Sequence, residues 1–505
     1  MIFGGRFDWN GAMSLPDLTR LFATPVERLR GIGARLLEIG VVGAYDEMAA
    51  IGGGLFEPAF LPLRRRHLRR ADGAAHRAAR MLCADDPVER EAAAEALGGS
   101  FVDEMCAAGL LVARGGGLVS PLRLRAHEGV LFFADHLHHG GEAVMGAGPL
   151  TGVLLRAALP SRRVESALDL GCGAGLVALL LARVADKVVA TDISERAVQM
   201  TRVNAALNGV TNIDVRRGDR FETVPGERFD RVASQPPFFP APESAPGQTY
   251  SQGGRRGDEL SLRILGDVAS HLTPRGRAVI VAEWPMFSEE PLTGRLREVV
   301  PASANVLSIE ADGPDCDAFA IGDKAFAHPD FGEAFAREVL ALREHLGALG
   351  VTTMRSAVTV VEPARAGIQG WTHATMVGDI ADPAVDGAFV DNVCSAQEVL
   401  VAGREALLAA RLVLPAGTGL FAAKDGYSRV LSDGGSVVAG ARVDREVHRI
   451  LEMVDTSASV GVAMKRYTKE SSGPRGAATD RFVAAVTQSL AAGLLVVAPG
   501  ARGAV

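Results

Sequence analysis

The middle of the chain alternates short apolar runs with longer amphipathic stretches. From Val144 to Trp284, runs rich in Val, Leu and Ala recur, and segments with apolar residues at helical spacing separate them. This alternation is typical of a doubly wound α/β sheet. We predict a Rossmann-like α/β domain over residues 141–330. The predicted elements are a strand ending near residue 169, a helix over 176–184, a strand over 187–191, a helix over 191–208 capped by Asp192 or Ser194, strands over 213–217 and 228–233, and further strands within 302–327 joined by a turn at 314–317.

Residues 1–140 show a different, mainly helical pattern. Helices are predicted within 15–40, 74–83, 87–97 and 101–107, followed by two short strands around a turn at Gly115 to Gly117. Three helices closed by a hairpin outline a winged helix, which could bind DNA, dimerise or cover an active site. The recognition helix, Ser100 to Ala107, carries Asp103 and Glu104 and no Lys or Arg, which disfavours phosphate contacts.

Residues 331–505 are predicted to form an α+β domain. Helices are expected over 331–349, 395–412, 442–454 and 478–492, and strands over 351–362 and 370–377. The stretch from Cys106 to Ala113 reads Cys-Ala-Ala-Gly-Leu-Leu-Val-Ala, and Ala491 to Val497 reads Ala-Ala-Gly-Leu-Leu-Val-Val. This similarity favours either a second winged-helix-like unit or a coincidence among abundant residue types.

Composition narrows the class of protein. A length of 505 residues predicts two or three domains, and 48% apolar with 22% charged residues predicts a globular protein. The net charge of −7 argues against a broad polyanion-binding face. Five cysteines without a Cys-x-x-Cys pair indicate a reducing cytosol, and neither a signal peptide nor a membrane-spanning run is recognisable. We therefore expect a cytoplasmic protein without membrane association.

The first candidate for chemistry is the sequence Leu168 to Gly175, Leu-Asp-Leu-Gly-Cys-Gly-Ala-Gly. Alternating glycines after an apolar strand suit a turn that a ligand approaches closely. Asp169 lies at the strand end, and Asp192 ends the next strand 23 residues later, the spacing at which an acid reaches ribose hydroxyls. A dinucleotide fingerprint fits poorly because Leu176 stands where its third glycine would be. This pattern favours S-adenosylmethionine over other nucleotides or a purely structural turn.

The second candidate is Gln235-Pro236-Pro237-Phe238 at the end of the predicted fourth strand. Two prolines cannot continue a central strand, and they make a stiff turn there. The Gln235 amide and the Pro236 carbonyl can accept hydrogen bonds from substrate N–H groups, and Phe238 can pack on a planar substrate. The alternative is an ordinary turn after an edge strand. Tyr250 and Glu283 are further candidates for assisting proton removal, and residues 243–252 are a predicted lid.

These motifs resemble the class I S-adenosylmethionine-dependent methyltransferases that carry Asn-Pro-Pro-Phe or Asn-Pro-Pro-Tyr. That group includes release-factor glutamine N5-methyltransferases and ribosomal RNA guanine N2-methyltransferases. The segment from Gly253 to Leu260 and the strand up to Glu283 are also similar to the glutamine enzymes. The resemblance implies a site for S-adenosylmethionine, and for its product S-adenosylhomocysteine, whose residues are Asp169, Gly171, Cys172, Gly173, Gly175, Asp192, Ile193, Asp219 near the adenine, and Arg220. It also implies that residues 235–238 frame the target nitrogen.

One departure limits what the resemblance transfers. Gln235 stands where the family has Asn and is one methylene longer, so the acceptor is not carried over, and oxygen or carbon acceptors remain alternatives. We predict N-methylation of a small molecule or a peptide, with the flanking domains forming the acceptor pocket or a homodimer interface. The alternatives are methylation of an RNA base and a non-enzymatic DNA-binding regulator that senses a ligand.

No metal site is predicted. His136, His138 and His139 follow Asp135 closely, and imidazoles are common ligands. Close spacing alone does not build a metal site, and no second group of ligands is evident. We interpret this stretch as a loop near the junction of two domains.

Overall fold

The fold was examined in a computed structural model, which describes residues 15–52, 60–136, 142–241, 252–328, 331–365, 367–422, 427–432, 442–472 and 474–498. The helices are α1 Thr19–Phe22, α2 Val26–Ile39, α3 Val41–Ala49, α4 Leu61–Ala71, α5 Ala74–Leu82, α6 Arg90–Leu97, α7 Gly99–Ala107, α8 Pro149–Ala158, α9 Leu176–Val184, α10 Glu195–Leu207, α11 Glu259–Val268, α12 Leu292–Val299, α13 Cys316–Ala327, α14 Glu333–Leu349, α15 Gly387–Val401, α16 Arg404–Ala409, α17 Arg445–Asp455, α18 Val460–Glu470 and α19 Arg475–Ala491, and a short 3-10 helix spans Ala269–His271. The strands are β1 Val112–Arg114, β2 Gly117–Val119, β3 Arg123–His127, β4 Val130–Ala134, β5 Val164–Leu170, β6 Ala185–Asp192, β7 Ile213–Arg217, β8 Phe229–Ser234, β9 Phe239–Pro240, β10 Gln252–Gly254, β11 Leu272–Met286, β12 Ala304–Asp315, β13 Thr353–Pro363, β14 Thr372–Met376, β15 Leu412–Val413, β16 Thr418–Ala422, β17 Tyr427–Ser432, β18 Arg442–Asp444 and β19 Val496–Val497.

An eight-stranded sheet forms the centre of the molecule, in the order β14-β12-β13-β11-β8-β5-β6-β7. β5, β6, β7, β8 and β11 run parallel to their neighbours within that group, whereas β13 is antiparallel to both β11 and β12. The order reverses beside β5, between β6 and β8. Ligands of open α/β sheets bind at the carboxyl ends of the strands beside such a switch point. We therefore expect a binding site at this edge of the sheet. The predicted doubly wound α/β fold is confirmed.

The helices before the sheet are packed directly onto it. One hydrophobic core extends from Leu18 through β4 and the central strands to Cys394. α2 packs on α10 so closely that a Cβ at Gly33 would collide with the Leu207 carbonyl. The predicted boundary at residue 140 therefore crosses a continuous core, and the division into domains stays a prediction.

The N-terminal elements follow the sequence pattern in part. The helices predicted within 15–40, 74–83, 87–97 and 101–107 are present, as is the β1–β2 hairpin. Gly40 ends α2 in a left-handed conformation with φ 86°, as its position predicts. The sequence analysis missed α3, α4 and the β3–β4 hairpin. Asp103 and Glu104 on α7 pair with Arg90 and Arg28, so the acidic residues of the candidate recognition helix have partners within the chain.

Two predictions in the second half were wrong. Residues 316–327 were expected to be strand-like, but they form α13, because the Asp315 side chain accepts a hydrogen bond of 2.8 Å from the Ala318 N–H and caps a helix there. The single helix expected over 395–412 is instead two helices, α15 and α16. Gly403, with φ 90°, separates them, and residues 412–413 form β15.

The two similar segments near the ends of the chain share a backbone geometry. Gly109 and Gly493 have φ 75° and 74°, and the residue after each donates a hydrogen bond of 2.9 Å to the carbonyl four residues before the glycine. Their surroundings differ, since β1 pairs with β2 whereas β19 pairs with β15. The second winged-helix-like unit therefore stays a prediction.

The described helices include none that is long and apolar enough to cross a membrane. All five cysteines carry free thiols.

Candidate active site

The glycine turn after β5 has the open geometry that its sequence predicts. Gly171, Gly173 and Gly175 have φ 80°, 53° and 83°, a region that favours glycine. A Cβ at Gly175 would lie 2.8 Å from the Cγ2 of Thr201, which already touches the turn. The N–H groups of Gly171 and Cys172 both donate to the Thr191 carbonyl, at 2.8 and 2.9 Å. The turn is thereby held against the end of β6.

Two carboxyl groups flank this turn, that of the buried Asp169 and that of the half-buried Asp192. Asp169 is 2% exposed and accepts a hydrogen bond of 2.8 Å from the Ala178 N–H at the start of α9. Asp192 accepts bonds of 2.9 Å from the N–H groups of Gly173 and Ser194. Burial raises the pKa of Asp169 to about 7, and the nearby Asp192 carboxyl adds to that shift. Burial also raises the pKa of Asp192, against the effect of its backbone hydrogen bonds.

These groups line a cavity of about 350 Å³ at the carboxyl edge of the sheet, a size within the range of small-molecule sites. All but one of the predicted cofactor residues lie in its wall: Asp169, Gly171, Cys172, Gly173, Asp192, Ile193, Asp219 and Arg220. The exception is Gly175, which ends the turn and donates a hydrogen bond to the Cys172 carbonyl. Gln235, Pro236 and Pro237 lie in the same wall. The structure therefore brings the two sequence landmarks together around one space.

Gln235 is held by a residue that the sequence analysis did not single out. The hydroxyl of Thr151, in the first turn of α8, donates a hydrogen bond of 2.8 Å to Gln235 Oε1. The same hydroxyl oxygen accepts a bond of 3.0 Å from the Gly148 N–H. Since a carbonyl oxygen has two lone pairs, Oε1 can accept a second bond, and the Nε2 group remains a donor. The Gln235 amide can therefore face a partner that offers one donor and one acceptor.

Glycines of the segment from Gly253 to Gly257 lie directly against the proline turn. A Cβ at Gly253 would approach Phe238 Cα to 2.7 Å and the Pro237 carbonyl oxygen to 2.8 Å, and one at Gly257 would approach the Phe238 carbonyl oxygen to 2.6 Å. β10 pairs with β9 just after the turn. The similarity to the glutamine enzymes in this segment thus has a packing reason, because a side chain here would displace the proline turn.

Two other predicted residues, Phe238 and Glu283, do not line the cavity. Phe238 packs on a hydrophobic cluster, and its ring lies 4.8 Å from the Phe239 ring between centroids. Glu283 lies within β11, and burial raises its pKa to about 7 although a hydrogen bond with Ser356 opposes the shift. Tyr250 and most of the predicted lid over 243–252 fall outside the described residues. The roles proposed for these residues stay predictions.

The histidine-rich stretch is only partly described. Asp135 is buried and accepts bonds of 2.6 and 2.7 Å from the Arg196 guanidinium, together with a bond of 2.8 Å from the Val144 N–H. The Asp135 carboxylate therefore holds Val144, a residue of the cavity wall, and forms a salt bridge with Arg196. His136 is buried beside it, and His138 and His139 lie outside the described residues.

The sequence analysis missed residues that join the N-terminal part to this site. The Asn204 side-chain amide donates to the carbonyls of Ala174 and Phe133, at 2.8 and 2.9 Å, and accepts a bond of 2.8 Å from the Phe133 N–H. Residues 142–147 supply one wall of the cavity. Neither feature has a local sequence signal, because each depends on contacts between segments far apart in the chain.

The sheet order and the cavity at its carboxyl edge agree with the class I S-adenosylmethionine-dependent methyltransferase fold that the sequence predicts. Residues 150–305 match the family described as methyltransferase small domain. Over 150 residues, the chain is 30% identical to a Methanocaldococcus jannaschii protein named as a protein N5-glutamine methyltransferase, an alignment that covers 29% of this chain and 75% of that protein. The chain belongs to this methyltransferase family.

Two further relatives show the range of the family. A release factor glutamine methyltransferase of Xylella fastidiosa is 33% identical over 127 residues, covering 23% of this chain and 46% of that enzyme. A tRNA1(Val) (adenine(37)-N6)-methyltransferase of Parabacteroides distasonis is 34% identical over 152 residues, covering 29% and 63%. The chain thus spans about half the length of the release factor enzymes that it matches.

The residues present fit S-adenosylmethionine, which supplies an electrophilic methyl group on a sulfonium sulfur. The glycine turn leaves its backbone open, and Asp192, at the end of β6, is placed to accept hydrogen bonds from ribose hydroxyls. Asp219 and Ile193 line the same cavity, and the resemblance implies that the adenine would lie near Asp219.

Proposed function

We propose that this chain methylates an amide-type nitrogen of a small molecule or a polypeptide, with S-adenosylmethionine as the methyl donor. The observation that carries this proposal is the Thr151–Gln235 hydrogen bond at the cavity wall. This bond uses one lone pair of Gln235 Oε1 and leaves the second lone pair and the Nε2 donor group available. That pattern is complementary to a primary amide. Such an acceptor would donate its N–H to Gln235 Oε1 and accept from Nε2.

The chain's residues would act on the acceptor by positioning. Holding the reacting atoms at near-attack distance contributes much of the acceleration in displacement reactions of this kind. The second N–H of an amide acceptor would reach the Pro236 carbonyl, which Pro237 fixes in place because its ring restricts the backbone. These two oxygens would stabilise the positive charge that develops on the nitrogen as its bond to the methyl carbon forms and the bond from that carbon to sulfur breaks. The N–H proton would then pass to water.

The test is methyl transfer with purified protein and S-adenosylmethionine. Glutamine-containing peptides and small primary amides serve as acceptors, and the matched glutamate peptides and acids serve as controls. The proposal predicts that S-adenosylhomocysteine forms only with the amides and that the acceptor gains one methyl group on nitrogen. Methylation of the acids, or of a carbon or oxygen atom, would contradict it.

A second candidate is methylation of an amino group on an RNA base. Adenine also presents an N–H donor beside a ring nitrogen that accepts, and an amide side chain can form hydrogen bonds with both. One relative is named for tRNA adenine methylation, and α4 exposes Arg66, Arg69 and Arg70. Asp86 already pairs with Arg69, and the net charge of −7 weakens this alternative. RNA binding that falls steeply with salt concentration would favour it.

A further inference from the structure

A cluster of metal-ligating side chains lies away from the cavity, where three consecutive helices of the N-terminal part meet. Glu47 on α3 contacts His67 on α4 and His76 on α5. Glu47 Oε2 lies 3.2 Å from His67 Nε2 and 3.0 Å from His76 Nε2, and one ligand atom from each residue lies within 4.8 Å of the others. Within the described residues, this is the group whose donor atoms converge in this way.

The distances are close to those of a tetrahedral metal site. Zinc binds imidazole nitrogen and carboxylate oxygen at about 2.0–2.2 Å, which places neighbouring ligand atoms roughly 3.3 Å apart. The two distances from Glu47 Oε2, 3.0 and 3.2 Å, are near that value before any ion is considered. The ligand atoms of the two imidazoles lie within 4.8 Å of each other, so the cluster is already close to the spacing that one ion requires.

The chemistry and exposure of the three groups also suit an ion. Two neutral imidazoles and one carboxylate are a ligand set that zinc uses when a fourth position is left to water. The His76 side chain is 19% exposed, whereas those of His67 and Glu47 are 39% and 54% exposed, so one face of the cluster is open to solvent. An ion could therefore enter without unfolding of the helices.

Neighbouring arginines have other partners. Arg64 donates to the Ile51 carbonyl and Arg65 to the Ala84 carbonyl, while Arg69 pairs with Asp86. These contacts direct three cationic groups of α4 to atoms outside the histidine cluster. The Glu47 carboxylate is therefore shared between the two imidazoles and is not claimed by these guanidinium groups.

We propose that Glu47, His67 and His76 bind a divalent transition-metal ion, zinc foremost, which ties α3, α4 and α5 together. Imidazole ligands favour zinc over magnesium or calcium, which prefer oxygen ligands. Because these helices pack on the core shared with the sheet, the ion would stabilise the N-terminal part rather than take part in methyl transfer.

The test uses the full chain without a histidine tag, stripped with a chelator and then titrated with zinc chloride against a chromophoric competitor. The proposal predicts one zinc ion per chain at micromolar or lower dissociation constant. His76→Ala and Glu47→Gln should each weaken binding at least tenfold, whereas His127→Ala, outside the cluster, should bind as the wild type does. Cobalt(II) should give the visible absorption of a tetrahedral nitrogen and oxygen site.

Thermal unfolding is a second measurement, and it can be made even for a variant whose zinc affinity is too weak to titrate. Zinc should raise the unfolding midpoint of the wild type and of His127→Ala but not of Glu47→Gln, which keeps the size of the side chain. The absence of stoichiometric zinc binding to the wild type, or equal binding by Glu47→Gln and the wild type, would overturn the proposal.

Discussion

Thr151 donates a hydrogen bond of 2.8 Å to Gln235 Oε1, joining α8 to the proline turn. The family pattern has the shorter Asn at position 235, and here the additional methylene carries the amide to a hydroxyl that can hold it. Gln235 is thereby held at the cavity wall, and its remaining donor and acceptor positions are complementary to the N–H and carbonyl groups of a primary amide. This relationship connects the one departure from the family motif to a specific expectation about the acceptor.

Removing the Thr151 hydroxyl should slow methyl transfer without weakening cofactor binding. Thr151→Val keeps the shape but loses a hydrogen bond of about 1 kcal/mol, so we expect kcat to fall roughly fivefold. Thr151→Ser should retain most of the rate. Steady-state kinetics with calorimetry of S-adenosylhomocysteine checks this, and equal rates for Val and Thr would show that the bond has no positioning role.

Shortening the Gln235 side chain should also slow methyl transfer, because it breaks the same hydrogen bond with Thr151. Gln235→Asn withdraws the amide from Thr151, so the loss in kcat should overlap with that of Thr151→Val. In a double-mutant cycle the combined variant should be less impaired than the sum of the single losses, by about 1 kcal/mol. Additive losses would indicate that the two residues act independently.

Two glycines of α2 test whether the N-terminal part docks on the sheet domain. A Cβ at Gly33 would collide with the Leu207 carbonyl, whereas one at Gly31 has open space around it. We expect Gly33→Ala to lower the free energy of unfolding by about 1–3 kcal/mol and Gly31→Ala to raise it by up to about 1 kcal/mol. Urea denaturation measures both, and equal stability of the two variants would contradict the close packing of α2 on α10.

Cofactor affinity should rise with pH across neutrality. Burial raises the pKa of Asp169 to about 7, so this carboxyl group loses its proton as the pH rises through neutrality. The ionised form attracts hydrogen-bond donors and cationic groups of the ligand. For one group near pKa 7, affinity for S-adenosylhomocysteine should increase about tenfold from pH 6 to pH 8.

Asp169→Asn is the control for that pH dependence. This variant removes the titrating group with little change in size, so its affinity should be lower and should vary less with pH. A wild-type affinity that falls as the pH rises would have the wrong sign and would contradict the assignment.

The sequence predicted the parts of the site whose signals are local. The glycines of the turn, Asp192 at the end of a strand and the two prolines after β8 each reflect the backbone or strand position that requires them. Thr151 could not be predicted, because it reaches Gln235 only once α8 packs against the sheet. The cluster of Glu47, His67 and His76 could not be predicted either, because no sequence motif links these residues and only the packing of α3, α4 and α5 brings them together.

Errors in the predicted fold have local causes. The run Phe319-Ala-Ile321 is apolar enough to favour a strand, but the Asp315 cap starts a helix before it. The prediction of a single long helix over 395–412 did not take account of Gly403. Its φ of 90° is incompatible with a continuous α-helix. α4 was missed because five arginines and a histidine interrupt its apolar positions.

Calorimetric titration with S-adenosylhomocysteine measures whether the cavity beside the glycine turn binds the cofactor product. We predict binding of one molecule by the wild type and by Gln235→Ala. Asp192→Ala should bind about 10–100-fold more weakly because it loses charge-assisted hydrogen bonds. No binding by the wild type, or equal binding by Asp192→Ala and the wild type, would contradict the account.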